Sequence, residues 1–109
     1  MNNPYCYPAE LKQKLERGDD FLLLDVRTPE EWDLAHLPQA KLIPMDAIRT
    51  ALDELEEHLD SEIVVLCHHG VRSANVQGWL AMQGFTQVRN LVGGIDRYSI
   101  ECDPNVPRY

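Results

Sequence analysis

At 109 residues, 44% of them hydrophobic, the chain has enough apolar material for one packed core and too much for disorder. Its formal net charge of -8 argues against a nucleic-acid or anionic-membrane surface, though not against an anionic substrate held by local backbone donors. No run approaches the roughly 20 apolar residues of a membrane span, and Met1-Asn2-Asn3-Pro4 has neither the basic nor the apolar part of a secretory signal.

Residues 1–7 read as a short lead-in or an edge strand. Pro8 to Arg17 reads as a helix, with Pro8 in the first turn, Leu11 and Leu15 on one side, and Gly18 as the stop. Phe21-Leu22-Leu23-Leu24-Asp25 is a buried strand that places Asp25-Val26-Arg27 at its C-terminal end. Thr28 has the chemistry of an N-cap, Pro29 suits the first helical position, and Glu30 and Glu31 favour the positive end of a helix over 29–34. Ala35-His36-Leu37-Pro38 is a loop. Ala40 to Ile43 is a short strand closed by Pro44. Asp46 is placed to cap a helix over 47–59, in which Ile48, Leu52, Leu55 and Leu59 follow a 4-3-4 spacing and the opposite face is charged.

Glu62 to Cys67 reads as the central strand. Val64-Val65-Leu66-Cys67 suits a strand covered on both faces. His68-His69-Gly70 forms a short loop, and a helix runs from about Arg72 to Gln83 with Val76, Trp79, Leu80 and Gln83 on one stripe before Gly84. Gln87 to Leu91 is a further strand, Gly93-Gly94 opens a short helix near 95–100, and Cys102 to Tyr109 is an irregular tail. Short apolar strands alternating with helices indicate an α/β domain with a parallel sheet. Ligands of such folds bind beyond the C-terminal strand ends, where Asp25, Cys67 and Gly93-Gly94 all fall.

Cys67 carries the chemistry. It precedes a glycine-containing loop and a helix N-terminus, so backbone N–H groups of His68, His69, Gly70, Val71, Arg72 and Ser73 are expected to converge on an anion there. The same field favours a thiolate, and Arg72 can add a full positive charge. Side chains of His68 and His69 are expected in solvent, with only their amides in the cradle. Asp25 and Arg27 are expected to pair and hold loops together, and His36 to be a structural loop residue. Cys6, Cys67 and Cys102 are an odd count without a short-spaced pair, which suits a reducing cytosol better than a disulfide framework. No zinc-type spacing occurs, and Cys67, His68 and His69 diverge on an extended backbone, so no metal is expected.

Three segments in order resemble the single-domain rhodanese family of sulfurtransferases. Leu24-Asp25-Val26-Arg27 through Glu31-Trp32, then His36-Leu37-Pro38-Gln39-Ala40 and Ile43-Pro44, is similar to the family's first signature, with Ala35 and Gln39 where it has glycines. Cys67 to Ser73 is similar to its active-site loop. Gly93-Gly94-Ile95-Asp96-Arg97-Tyr98 is similar to its closing motif, with Tyr98 where tryptophan is more usual. The resemblance covers about residues 8–100 of a single domain spanning 1–109. It implies a three-layer fold with a central, mostly parallel sheet of about five strands between helices.

The resemblance also implies double displacement without a cofactor. Cys67 would take the outer sulfur of a small anionic donor such as thiosulfate and pass it from a persulfide to cyanide or a thiol. A persulfide carrier for a sulfur-relay protein partner fits the same residues. A cysteine phosphatase fits less well: the cell-cycle dual-specificity phosphatases share the fold but place five residues between cysteine and arginine. Here four lie between Cys67 and Arg72, and the smaller ring suits a sulfur-centred anion.

Overall fold

Each short apolar run of the sequence becomes a strand with a parallel neighbour. In the computed structural model, which describes residues 3–109, these are β1 (Tyr5–Cys6), β2 (Leu22–Asp25), β3 (Lys41–Leu42), β4 (Glu62–Leu66) and β5 (Gln87–Leu91). Met1 and Asn2 of the expected lead-in lie outside the described residues; its remainder supplies β1. The strand order is β1-β5-β4-β2-β3, parallel throughout. Asp25 pairs with Leu66 across β2 and β4, and Val65 with Asn90 across β4 and β5. The three central strands therefore end nearly level, and the segments after Asp25, Leu66 and Leu91 share one edge of the sheet.

Alternating side chains along the strands feed two cores. Leu24, Ile63, Val65 and Cys67 join Ile48, Leu55, Val76 and Leu80 on one face. Leu23, Val64, Leu66 and Leu91 join Leu11, Ile95, Tyr98 and Val106 on the other. This is the expected three-layer α/β architecture. Its helices are α1 (Pro8–Arg17), α2 (Pro29–Leu34), α3 (Leu52–Leu55), α4 (Val71–Met82) and α5 (Gly94–Glu101). Among the described residues no helix is long and apolar enough to cross a membrane.

The local signals at the two early helices act as read. Gly18 stops α1. Thr28 and Glu31 close a capping box around the start of α2, each side chain bonding the other's backbone N–H. On α4 the buried stripe is Ser73, Val76 and Leu80; Trp79 is half-buried, and Gln83 is exposed because the helix ends at Met82.

The helix expected over 47–59 is broken. Met45–Ala51 and Glu56–His58 are 3₁₀, with only the short α3 between them. Met45 N–H donates to Val26 O at 3.0 Å, so the first turn forms against the end of β2, directly after Pro44. Three residues per turn then brings Ile48 and Ala51 inward together. Leu55 stays buried, but Leu59 is left exposed. Asp46 caps nothing, because the segment begins ahead of it and Pro44 holds the cap position.

Candidate active site

β4 delivers Cys67 to the sheet edge, and the chain turns through His68-His69-Gly70 into α4. Gly70 sits at the N-cap position with φ of 104°, a region that side chains avoid. This turn aims the Gly70 N–H back at the Cys67 Sγ, 3.0 Å away. The Ser73 hydroxyl, one turn into α4, lies 3.3 Å from the same sulfur and 2.5 Å from Asn90 Oδ1. A hydroxyl has one proton to give. Beside a thiol it donates to Asn90 and can accept from the S–H; beside a thiolate it can turn its proton to the sulfur. Asn90 is held for this by its own Nδ2, which donates to Gly70 O at 3.1 Å. Cys67 itself is only 1% exposed.

The loop backbone is clamped from the far side by α5. Ile95 N–H donates to Cys67 O (2.9 Å) and Asp96 N–H to His68 O (3.1 Å). That approach requires Gly94, whose φ is 65° and where a Cβ would collide with both carbonyls. The Gly93-Gly94 turn thus fixes where the Cys67 loop sits.

Two arginines border the site, and both have partners. Arg27 and Asp25 are fully buried and joined by bonds of 3.0 Å from Nε to Oδ1 and 2.7 Å from Nη2 to Oδ2. Arg27 also donates to Ala35 O (2.7 Å) and to the Tyr109 hydroxyl (2.9 Å). Burial works against its charge, but Asp25 and Tyr109 outweigh it and raise its proton affinity. Arg72 grips Glu31 with two bonds, 2.6 and 2.8 Å. That grip, joined by the Tyr109 hydroxyl at 2.6 Å, holds the Glu31 carboxyl far below the usual carboxylate range. Glu31 likewise raises Arg72, with a smaller contribution from the Cys67 sulfur. Burial, then Glu31, pushes the Tyr109 phenol up to about 12. A surface cavity of about 690 Å³, lined by Arg27, Pro29, Met45, Asp46 and Arg72 among others, lies alongside.

The tail that reads as irregular folds back over this edge. Ser99 Oγ donates to Val106 O (2.6 Å), Val106 is buried, and the Tyr109 ring stacks on His68 at 4.0 Å between centroids. His68 stacks on His69 on its other side, at 3.9 Å. The His68 ring is therefore part of the wall, where solvent exposure had been expected, and burial lowers its proton affinity. His69 and Val71 are exposed. His36 stacks on Trp32 at 4.0 Å and bonds Trp32 O at 2.8 Å, which ties its loop back to α2.

Sequence reasoning missed Asn90, the partnership of Glu31 with Arg72, and Tyr109. A polar Asn90 at the inner end of the strand Gln87–Leu91, beside Leu91, was the available signal for Asn90; the other contacts join residues 41 and 78 apart and leave no local trace. Cys6 and Cys102 pack on the opposite side of the sheet from Cys67. Burial raises both thiols, Cys6 to about 11.

Comparison with known proteins bears on this arrangement. The family model of the rhodanese-like domain matches residues 7–101. A sulfurtransferase of Allochromatium vinosum is 38% identical over 85 residues, covering 78% of each chain. The rhodanese-like/PpiC domain-containing protein 12, chloroplastic, of Arabidopsis thaliana is 41% identical over 93 residues, 84% of this chain; the match spans 31% of that longer protein. Among solved structures, a rhodanese-like domain protein from Staphylococcus aureus superposes with a TM-score of 0.79 at 32% identity, covering 98% of this chain and 99% of the other. Family model, relatives and fold agree: the chain belongs to the rhodanese-like domain family, which includes sulfurtransferases.

Proposed function

We propose that the chain, as a single domain, is a sulfurtransferase that carries sulfane sulfur on Cys67. The observation that carries the reading is the pair of polar groups on one sulfur, the Gly70 N–H at 3.0 Å and the Ser73 hydroxyl at 3.3 Å, at the mouth of a strand–loop–helix turn. With thiosulfate as donor, the Cys67 thiolate attacks the outer sulfur, the S–S bond of thiosulfate breaks, and sulfite leaves with the bonding pair. The product is a Cys67 persulfide anion. Cyanide then attacks the terminal sulfur, leaves as thiocyanate, and restores the thiolate; a thiol acceptor follows the same course to a new persulfide. Gly70 N–H already points at the sulfur, and the Ser73 hydroxyl adds a second bond to the thiolate by turning its proton away from Asn90. Asp25, Arg27 and His36 serve as supports, and no cofactor takes part.

The low exposure of Cys67 means that a donor reaches the sulfur only as the rim yields. The half-exposed Arg72–Glu31 pair is the rim's looser tie, beside the 690 Å³ cavity. Phosphate monoesters are poor substrates on this reading, because the guanidinium fork that would receive the phosphate is already filled by Glu31. Incubation with thiosulfate and cyanide should yield thiocyanate, and Cys67→Ser should end it. Aryl phosphate turnover at a comparable rate would replace this reading with the phosphatase one. Sulfur loading from a persulfide-bearing protein, with thiosulfate inert, would favour a relay role in the cytoplasm.

A further inference from the structure

We propose that His68, His69 and Asp96 form a binding site for a divalent first-row transition cation such as Zn²⁺, on the rim of the Cys67 loop. Consecutive residues on an extended strand point apart, but the chain bends through 68–70, and the two imidazoles come to lie side by side. Asp96 enters from the first turn of α5. Each of the three offers a ligating atom within 4.8 Å of the other two. Independently, His68 Nε2 is buried with no hydrogen-bond partner among the described residues. Buried ring nitrogens are normally satisfied, and a ligand at this position would satisfy this one.

The donor set selects the ion. Two imidazoles and one carboxylate suit Zn²⁺, Ni²⁺ or Cu²⁺, whereas Ca²⁺ and Mg²⁺ prefer all-oxygen sites. Tetrahedral bonds of about 2.0–2.1 Å place ligand atoms about 3.3 Å apart. His69 Nε2 and Asp96 Oδ2 now stand 3.7 Å apart and all three ligating atoms lie within 4.8 Å, so side-chain rotation, chiefly of the exposed His69, has to close the difference. Arg108 competes: it donates to Asp96 Oδ1 at 2.8 Å and to Oδ2 at 3.4 Å. Its side chain is 59% exposed, so the pair is a weak surface contact and can give way. None of the three ligating side chains bonds the Cys67 sulfur, whose contacts are Gly70 and Ser73.

The test titrates ZnCl₂ into the tag-free chain carrying Cys67→Ser and Cys102→Ser, by calorimetry, with Co²⁺ absorption as a second readout. These substitutions remove thiolate sites and make the outcome independent of the proposed sulfurtransferase activity. One ion per chain should bind. His69→Ala and Asp96→Asn should each weaken it by at least about tenfold, the order expected for loss of a ligand. Arg108→Ala should tighten it, which no role in folding alone would produce. Absence of saturable binding, or binding unchanged by both His69→Ala and Asp96→Asn, would overturn the site.

Discussion

Two arginine–carboxylate pairs flank Cys67 with the same chemistry and opposite settings. Asp25–Arg27 has no solvent exposure on either side chain, and its guanidinium also serves the carbonyl of Ala35 and the phenol of Tyr109. Glu31–Arg72 is a two-bonded pair with 17% and 35% of its side chains exposed. The buried pair fixes the end of β2 as a wall. The outer pair fastens α2 to the start of α4 across the rim of the Cys67 loop. Coulomb attraction is common to both; what water does when the pair opens is different.

Substitutions should separate these roles. Asp25→Ala leaves the Arg27 guanidinium buried and unpaired, and should cost about 3–5 kcal/mol in denaturant unfolding. A loss as small as that of the outer pair would erase the distinction. Gly94→Ala forces a Cβ into the carbonyls of Cys67 and His68 at a left-handed φ. It should cost about 1–3 kcal/mol and depress turnover as the loop shifts. Tyr109→Phe keeps the stack on His68 but removes the hydroxyl between Arg27 and Glu31; about 0.5–1.5 kcal/mol should be lost, seen as a lower melting temperature.

Glu31→Gln should change stability least, by about 0–1 kcal/mol near neutral pH. Its pH dependence is the sharper reading. The folded Glu31 carboxyl is held below its unfolded value, so its contribution is complete above the unfolded pKa of about 4.3 and is lost as pH falls through the folded one. The gap between wild type and Glu31→Gln should be flat above about pH 5 and close below it. A gap that widens with acid would contradict the assignment of the pair.

Where physics is local, the sequence was readable. Thr28-Pro29-Glu30-Glu31 announced a capped helix, and Cys67-His68-His69-Gly70 announced a strand end that turns into a helix. Alternation of short apolar strands with helices then indicated the α/β sheet, and the resemblance its three-layer form. The 45–58 segment was not readable, because a hydrogen bond from Met45 to Val26 decides its tight winding and a 4-3-4 apolar spacing hides that. The partners of the site's side chains were equally hidden. Arg72 reads as an anion receptor until Glu31, 41 residues away, is seen to fill its fork. The stacking of His68 and His69 depends on a bend at 68–70 that the residue types do not dictate.

The central claim is that Cys67 holds the transferred sulfur. Intact-protein mass measurement after incubation with thiosulfate, followed by cyanide, tests it directly. Wild type should gain the mass of one sulfur atom on the peptide bearing Cys67, and cyanide should remove it with release of an equal amount of thiocyanate. Thiocyanate formation that persists in Cys67→Ser, or a sulfur adduct confined to Cys6 or Cys102, would contradict it.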